Sequence, residues 1–297
     1  MKKNQSAPKH QSLTGLAVVC RRVVHIYRSD GGDVVALAGV DLDIAPGERV
    51  ALVGPSGSGK STLISLLAGL MRPSAGRVQI GLVDIGRISE AELARLRGTD
   101  LGVVLQGARR NLLPYATVLS NVWLAQRRAA KVRPGDLEPP ERILALLGLT
   151  GQGHRKVEDL QPGAAQRAAI AVGMASSPGL LLVDEPTSQL DRDARDEVLS
   201  ALETINTERG TTIVAVTHDP EVGERLGRAV TIRDGRVGSE GRDGREFAVI
   251  AGDGTVQLPP DVLDILPPGT LLSVEHANGK VTLLSDDHSV AVEVPTA

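Results

Sequence analysis

The densest chemistry in the sequence lies where glycines, serines and one lysine follow a short apolar run. Gly54-Pro55-Ser56-Gly57-Ser58-Gly59-Lys60-Ser61 has the spacing GxxxxGK[ST]. Glycines allow consecutive backbone N–H groups to surround a phosphate, and a helix that starts here adds the positive end of its dipole. The Lys60 ammonium can contact the outer phosphate oxygens, and the Ser61 hydroxyl can bind Mg²⁺. The sequence therefore predicts that this phosphate loop and Thr62 bind a nucleotide.

Two adjacent acids end a second apolar run, Leu180-Leu181-Leu182-Val183-Asp184-Glu185. At the carboxyl end of a buried strand, Asp184 would face the phosphates and hold Mg²⁺ through its coordination shell. Glu185 is then placed to act as the general base that activates an attacking water. The alternative is that the two acids only cap the next element. The presence of a phosphate loop upstream strongly disfavours this alternative.

The elements that must position these residues alternate between strands and helices. Val18–Tyr27 and Val34–Ile44 indicate antiparallel strands, and Arg49–Val53 is a short buried strand that leads into the phosphate loop. The other predicted elements are a helix over 61–70, a mostly helical block over about 108–178, and buried strands over 180–183 and 212–216. This order predicts an α/β fold with a parallel sheet, an antiparallel β subdomain and an inserted helical subdomain.

The composition excludes several classes of function. The 297 residues include one Trp, two Tyr and one Phe, too few for the stacking platforms that hold single-stranded nucleic acid. A net charge of −3 argues against a whole-chain basic surface for DNA or RNA, so no nucleic-acid partner is expected. The lone Cys20 excludes an internal disulfide, and no run predicts a membrane span. A reducing, cytoplasmic compartment fits these features best.

Charge divides the chain near residue 246. The segment 246–297 holds eight acidic residues and one basic residue, and 238–245 is interpreted as a linker. Residues 1–15 are predicted to be disordered. We therefore predict a main domain over 16–240 and a small, mainly β domain over 246–297. The latter would serve dimerisation or regulation, or act only as a stabilising cap.

Turn residues in the acidic segment predict its local structure. One β-hairpin is expected before a short helix over 261–266 and a second one after it. The paired strands would be 247–251 with 255–258, and 271–276 with 280–284.

Further motifs follow the phosphate loop in a fixed order, and together they resemble those of ATP-binding-cassette (ABC) ATPases over about residues 16–240. Asp184-Glu185-Pro186-Thr187-Ser188-Gln189-Leu190-Asp191 is similar to the family's Walker B motif and D-loop, in which Asp191 is the D-loop acid. Val216-Thr217-His218-Asp219 resembles the switch segment, which implies that His218 contacts the γ-phosphate. Val104-Leu105-Gln106 resembles the Q-loop, and Tyr27 matches the aromatic residue that stacks on adenine.

The resemblance implies a P-loop ATPase whose ligands are ATP and Mg²⁺. Its catalytic residues would be Glu185, His218 and Gln106. The metal would be bound by Ser61, Gln106 and Asp184.

The family's signature, LSGGQ, is altered in this chain. The aligned segment is Leu160-Gln161-Pro162-Gly163-Ala164, followed by Ala165-Gln166-Arg167. In the family this loop covers the γ-phosphate of the ATP that the opposing subunit holds. Pro162 removes a backbone donor and Gln161 is bulkier than serine, so hydrolysis is expected to suffer more than binding. A tolerated variant with full activity is the alternative.

Because a chain lends its signature to its neighbour, this alteration favours a heterodimer with a second ATPase subunit over a homodimer. Asn111-Leu112-Leu113-Pro114-Tyr115, together with the segments 35–37 and 42–48, resembles the macrolide-exporter and lipoprotein-release branch. This implies a transmembrane permease contacted near 111–115, at the cytoplasmic face of a bacterial membrane. Ordinary loop packing is the alternative for this segment.

Other functions stay open beside an ATP-driven transport subunit. The first is a cell-division-type relay that transmits force across the membrane without moving a substrate. The second is an interaction subunit that binds ATP and hydrolyses it weakly. A soluble DNA-maintenance or ribosome-associated ABC ATPase is disfavoured, because those proteins resemble tandem cassettes or carry long coiled-coil insertions.

Overall fold

A computed structural model describes residues 15–28, 32–242, 245–250, 254–258, 260–267, 269–277, 280–285 and 291–295. The strands are Val18–Tyr27 (β1), Val34–Ile44 (β2), Arg49–Val53 (β3), Ala75–Ile80 (β4), Val83–Asp84 (β5), Leu101–Val104 (β6), Leu180–Asp184 (β7), Thr212–Val216 (β8), Arg228–Arg233 (β9), Arg236–Arg242 (β10), Arg245–Ala248 (β11), Leu272–Ala277 (β12), Lys280–Ser285 (β13) and Ala291–Pro295 (β14). The α-helices are Lys60–Leu67 (α1), Glu90–Thr99 (α2), Val118–Val132 (α3), Pro140–Leu146 (α4), Pro162–Met174 (α5), Arg192–Arg209 (α6), Pro220–Leu226 (α7) and Pro260–Ile265 (α8).

The central sheet brings the predicted functional segments to one edge. Its strand order is β11-β10-β9-β3-β8-β7-β6, and the strands from β9 to β6 are parallel. Parallel neighbours end at the same edge of a sheet, so the segments that follow β3, β8, β7 and β6 lie side by side. These segments begin at Gly54, Thr217, Glu185 and Leu105. Four predicted motifs therefore meet there.

Alternate residues of the central strands face two hydrophobic cores. In β7, Leu181 and Val183 pack with residues of α3, α5 and α6, whereas Leu180 and Leu182 pack with α1 and the antiparallel strands. All four side chains are fully buried. A strand that is covered on both faces must be apolar throughout, which explains the continuous run before Asp184.

Two further layers complete the main domain. A four-stranded antiparallel sheet has the order β2-β1-β4-β5. Between β6 and β7 the chain forms α3, α4 and α5, together with short 3-10 turns at Ala108–Asn111 and Val157–Asp159. This arrangement confirms the predicted α/β fold with an antiparallel subdomain and an inserted helical subdomain.

Some element boundaries differ from the prediction. Helix α1 ends at Leu67 rather than at residue 70, because Gly69 takes a left-handed φ of +63° that stops the helix. Helix α2 was not predicted, and a capping box starts it: the Ser89 side chain accepts from the Glu92 N–H while the Glu92 side chain accepts from the Ser89 N–H.

The interpretation of 238–245 as a linker is wrong, because most of this segment forms β-strand. Strand β10 pairs with β9, and β11 pairs with β10, with Phe247 opposite Glu240. The predicted hairpin of 247–251 with 255–258 is therefore also wrong in its first strand, which extends the central sheet. Among the described residues of the two segments, the backbone pairing is an isolated bridge from Ile250 to Val256, and residues 251–253 lie outside the described part.

The helix and the second hairpin that were predicted for the acidic segment are both present in the structure. Helix α8 is shifted by one residue from 261–266, and the second hairpin is confirmed as the antiparallel pair β12–β13. Its turn at 278–279 lies outside the described residues, and β14, which pairs with β13, was not predicted. The division of the chain at 240 and 246 remains a prediction.

At the other end of the chain, residues 1–14 lie outside the described part. Gly15, the last residue of the segment predicted to be disordered, is buried, and a Cβ on it would lie 2.5 Å from the Gly210 carbonyl oxygen. None of the described helices combines the length and the apolar character that crossing a bilayer requires.

Candidate nucleotide-binding site

The phosphate loop joins β3 to α1 through backbone conformations that require glycine. Gly54 has a φ of +140°, and a Cβ there would collide with the Ile232 carbonyl oxygen. Gly59 has a φ of +103°, and its Cβ would lie 2.5 Å from the Ala36 carbonyl oxygen. Gly59 is also the N-cap of α1, and no side chain caps that helix. The backbone donors of the first turn are therefore available to an anion.

Lys60 lies against its own loop. Its Nζ donates hydrogen bonds to the carbonyl oxygens of Gly54 and Pro55, at 2.7 and 2.8 Å. Burial lowers the pKa of Lys60, and the charges of Glu185 and Asp184 act in the opposite direction. An ammonium group has three donors, so one remains for a phosphate oxygen.

Tyr27, at the end of β1, lies beside the first turn of α1. Its hydroxyl is 3.2 Å from Oγ1 of Thr62, and its ring meets His25 edge-to-face with the centroids 4.8 Å apart. Tyr27 remains 42% exposed, so part of the ring is accessible. An accessible aromatic ring next to the phosphate loop is compatible with the predicted stacking on adenine.

Glu185 and His218 form a direct pair across the sheet edge. The two Glu185 carboxylate oxygens are 2.9 and 3.0 Å from Nδ1 of His218. Glu185 has a φ of +48°, rare outside glycine, and its N–H donates to the Val216 carbonyl oxygen at 2.8 Å. The Glu185 side chain is 13% exposed and that of His218 is 70% exposed, so the imidazole lies on the solvent side of the carboxylate.

Asp184 ends β7 with an unsatisfied carboxylate. Its Oδ1 is buried and has no hydrogen-bond partner among the described residues. Burial and the adjacent Glu185 raise the pKa of Asp184, and only the charge of Lys60 lowers it. A cation at this carboxylate would satisfy the orphaned oxygen and offset the repulsion from Glu185.

The donor set fits Mg²⁺ bound together with phosphates. In the described residues, no group of three or more His, Cys, Asp or Glu side chains could hold a metal ion. Mg²⁺ is commonly held by only one or two carboxylates, with phosphate oxygens and waters completing the shell. Asp184 supplies such a carboxylate, and Ser61 is an exposed residue in the first turn of α1.

Asn111 braces the loop that contains Gln106. The Asn111 Oδ1 accepts from the Leu105 N–H at 2.8 Å, and Nδ2 donates to the carbonyl oxygens of Leu105 and Gly107 at 2.8 and 3.2 Å. Gln106 itself is exposed at the end of β6. The amide of Asn111 thus holds the turn on both sides of Gln106, a role that the sequence did not predict.

The signature segment, residues 160–164, starts α5. Gln161 is the N-cap without a capping side-chain hydrogen bond, and Pro162 occupies the first turn. The four residues from Gln161 to Ala164 line a cavity of about 430 Å³ together with Asp191 and the start of α6. Among the described residues, no hydrogen bond or ion pair joins this segment to the phosphate loop. The two halves of the predicted site are therefore separate within one chain.

Asp191, the predicted D-loop acid, has a local structural partner. Its Oδ1 accepts a hydrogen bond from the Ala194 N–H at 2.8 Å and caps α6. Close packing at this point also involves Gly163, where a Cβ would lie 2.7 Å from the Ala194 Cβ. Signature and D-loop thus form one packed unit, while the roles predicted for their residues remain predictions.

Sequence reasoning missed the contacts that link residues far apart in the chain. Glu185 and His218 were each assigned a role, but their pairing was not predicted. A signal existed, because each residue lies within two positions of the end of an apolar strand and neighbouring parallel strands place such residues together. The brace at Asn111 had no comparable signal, since it depends on the path of a loop.

Comparison with known proteins agrees with this geometry. A family model described as ABC transporter matches residues 37–188. The chain is 42% identical over 213 residues to the lipoprotein-releasing system ATP-binding protein LolD of Anaeromyxobacter dehalogenans, covering 71% of this chain and 88% of that protein. It is 39% identical over 218 residues to the macrolide export ATP-binding/permease protein MacB of Rhodopirellula baltica, covering 73% of this chain and 32% of MacB.

Solved structures show the same fold. The dimeric ATP-binding cassette MJ0796, in a post-hydrolysis state with ADP and Pi, is 32% identical to the chain and superposes with a TM-score of 0.67. The match covers 77% of this chain and all of that one. A second dimeric structure of MJ0796 has a TM-score of 0.68 at 31% identity. Together with the family match and the geometry of the phosphate loop, these similarities show that the chain belongs to the ABC transporter family, as one of its ATP-binding cassettes.

Proposed function

We propose that this chain is the ATP-hydrolysing subunit of an ABC transporter and powers a separate transmembrane permease. The observation that carries the proposal is the convergence of Lys60, Asp184, Glu185 and His218 at one edge of the central sheet, next to an uncapped helix N-terminus. The relatives LolD and MacB are named for lipoprotein release and macrolide export, and this chain belongs functionally beside such ATPases.

The residues at the sheet edge divide the work of hydrolysis. Lys60 and the backbone donors of the phosphate loop hold the outer phosphates. Glu185 accepts the proton of the attacking water, and its low exposure keeps the carboxylate out of bulk solvent. His218 orients Glu185 through Nδ1, and its second ring nitrogen, Nε2, is assigned to the γ-phosphate contact that the family resemblance implies.

Mg²⁺ is part of the proposed substrate complex. Asp184, Ser61 and Gln106 would hold it, and bound Mg²⁺ would neutralise charge on the β- and γ-phosphates. The orphaned Oδ1 of Asp184 supports this assignment. Tyr27 stacks on the adenine in the same complex.

We further propose that closure of a dimer completes each site, since among the described residues no hydrogen bond or ion pair joins the signature segment to the phosphate loop of its own chain. The related cassette MJ0796 is dimeric in two structures. In this chain the phosphate loop is intact, but Pro162 withholds a donor that a partner's nucleotide would need. A heterodimer, in which the second ATPase supplies an unaltered signature, leaves one fully equipped site.

The permease contact is assigned to residues 111–115. Leu113, Pro114 and Tyr115 are exposed, and Tyr115 is 69% exposed. They follow the loop of Gln106 directly, so movement of the permease is transmitted to the site through the brace at Asn111. This assignment places the subunit at the cytoplasmic face of the membrane.

A weakly hydrolysing subunit is the second candidate, and Pro162 is the observation that favours it. Phosphate release by the purified chain, with and without its partner ATPase and permease, separates the two. Strong stimulation in the complex supports the first function, whereas turnover that stays at the level of the Lys60→Ala variant under all conditions supports the second. Lys60→Ala should abolish ATP turnover, because it removes the charge at the phosphates.

Light scattering of the Glu185→Gln variant with ATP tests the heterodimer. This variant should retain ATP and stay monomeric by itself, then dimerise when the partner ATPase is added. A tight homodimer that retains two ATP molecules would contradict the heterodimer and leave the ATPase assignment intact.

A further inference from the structure

Helix α3 has an outer surface whose chemistry the nucleotide site does not use. Its inner side, with Val118, Asn121, Val122, Gln126 and Ala129, is buried in the helical block. Its exposed residues recur at helical spacing. The outer face comprises Trp123, Leu124, Arg127, Arg128, Lys131 and Val132.

The charge of this outer face is of one sign. Helix α3 contains three basic residues and no acidic residue. Within the described residues, Arg127, Arg128 and Lys131 form no ion pair, whereas arginines on neighbouring elements do, such as Arg142 with Glu138. Arg133, the next basic residue, turns inward and donates to the Thr99 and Ser176 carbonyl oxygens. The unpaired cations are therefore confined to the outward side.

Apolar groups lie between these cations. Trp123 is 59% exposed, Leu124 is 43% exposed and Val132 is 47% exposed. The Arg127 guanidinium lies 5.8 Å from the centre of the Trp123 ring. Leu124, Val132 and the three basic side chains line a shallow depression of about 550 Å³.

We propose that the outer face of α3 binds the surface of an anionic lipid membrane. Tryptophan prefers the interface between lipid headgroups and acyl chains, and leucine and valine gain from partial burial there. Arginine and lysine are attracted to the negative headgroups. A helix face that carries three unpaired cations, one of them beside an exposed tryptophan, has both properties, and its charge is complementary to the anionic leaflet.

The position of α3 agrees with this partner. The helix begins three residues after Tyr115, so the proposed permease contact and the proposed lipid contact adjoin each other. This step rests on the proposed function, whereas the chemistry of the outer face does not. Lipid binding would then orient the subunit and add to the affinity of the permease contact.

The single tryptophan of the chain provides a direct readout. We would titrate the full chain with vesicles of phosphatidylcholine alone and with vesicles that also contain phosphatidylglycerol, and record Trp123 emission and co-sedimentation. The expected result is a blue shift and co-sedimentation with the anionic vesicles only, with both weakened at high salt. Unchanged Trp123 emission, or equal binding to both vesicle types, would overturn the proposal.

A charge variant and a matched control complete the test. Arg127→Gln with Lys131→Gln should lower the partition coefficient for anionic vesicles by about 30-fold, since two cations leave the interface. Arg22→Gln with Arg192→Gln removes two charges from exposed positions elsewhere and should change it less than about twofold. Equal losses in both variants would show that only net charge matters and would refute a site on α3. ATP turnover reports on the proposed function separately.

Discussion

Two helices, α1 and α5, begin at segments that the family motifs assign to nucleotide, and they differ in what their first turns can donate. Gly59 precedes α1, and every residue of its first turn carries a backbone N–H. Gln161 precedes α5, and Pro162 in its first turn has no N–H. Neither helix is capped by a side chain, whereas Ser89, Thr117 and Asp191 cap α2, α3 and α6.

The contrast shows how a site can be complete on one side and reduced on the other. A helix without a capping side chain leaves its first donors to an external acceptor, and α1 keeps the full set. At α5 the N–H groups of Gly163 and Ala164 are the first that remain. The chain therefore retains all the backbone donors with which α1 would hold its own nucleotide. It lacks one of the donors that α5 would offer to the nucleotide of a neighbouring subunit.

The largest expected effect comes from the chemistry beside α1. Glu185→Gln keeps the size of the side chain but removes the base, so ATP turnover should fall by about 10²–10⁴-fold while ATP binding is retained. Phosphate release and equilibrium ATP binding measure the two quantities. Glu90→Gln, at an exposed position on α2, is the control and should match wild type. Undiminished turnover of Glu185→Gln would exclude Glu185 as the base.

Restoring the donor at α5 should have the next largest effect. Pro162→Gly returns one backbone N–H to the first turn. If the missing donor is what prevents two copies of the chain from closing into an active dimer, turnover of the purified chain should rise by about 100-fold. Pro140→Gly makes the same change in the first turn of α4 and should leave turnover unaltered. If Pro162→Gly also leaves turnover unaltered, the missing N–H donor of α5 does not limit hydrolysis, and the difference between α1 and α5 has no functional effect.

Two glycines of the phosphate loop before α1 are expected to differ in how much a substitution lowers the stability of the protein. Gly59 and Gly57 have φ values of +103° and +79°, but only at Gly59 would a Cβ meet other atoms, with the Leu37 Cδ2 at 2.8 Å. Gly59→Ala should therefore lower the free energy of unfolding by about 3 kcal/mol, and Gly57→Ala by about 1 kcal/mol. Denaturant unfolding measures both. Equal losses of unfolding free energy in the two variants would mean that backbone strain accounts for the whole effect and that crowding of the Cβ at Gly59 adds nothing.

The smallest effect concerns the carboxylate of Asp184 and depends on pH. Its folded-state pKa is raised above the ordinary value of 3.8, so the native state binds this proton more tightly than the unfolded state. The carboxylate therefore lowers stability at pH values above its folded pKa, and this loss disappears below the unfolded pKa.

Asp184→Asn should accordingly be more thermally stable than wild type at pH 7 without Mg²⁺, and the two should converge as the pH falls below the unfolded pKa of Asp184. Saturating Mg²⁺ and ATP should stabilise wild type more than the variant, because only wild type has the carboxylate ligand. Thermal unfolding from about pH 3 to about pH 8 gives both results. Equal stabilisation by Mg²⁺ and ATP would remove Asp184 from the metal site.

Much of the fold was predictable because its signals are local. The strand before Gly54 and the strand before Asp184 are short apolar runs with clear ends, and both were placed within one residue. The segment 238–245 was less predictable, because it is rich in glycine and charge yet lies mostly in β10, which pairs with β9 and β11. Such a strand gains its stability from the backbones of its neighbours, which composition does not reveal.

By itself the sequence determined the phosphate loop, the acids after β7, the switch histidine and the altered signature, since each is a contiguous motif whose chemistry depends on local spacing. Tertiary structure alone decided that His218 pairs with Glu185, 33 residues away, and that Tyr27 meets Thr62, 35 residues away. The physical reason is the strand order β3-β8-β7-β6, which sets the neighbours at the sheet edge and follows from packing of two cores rather than from any local pattern.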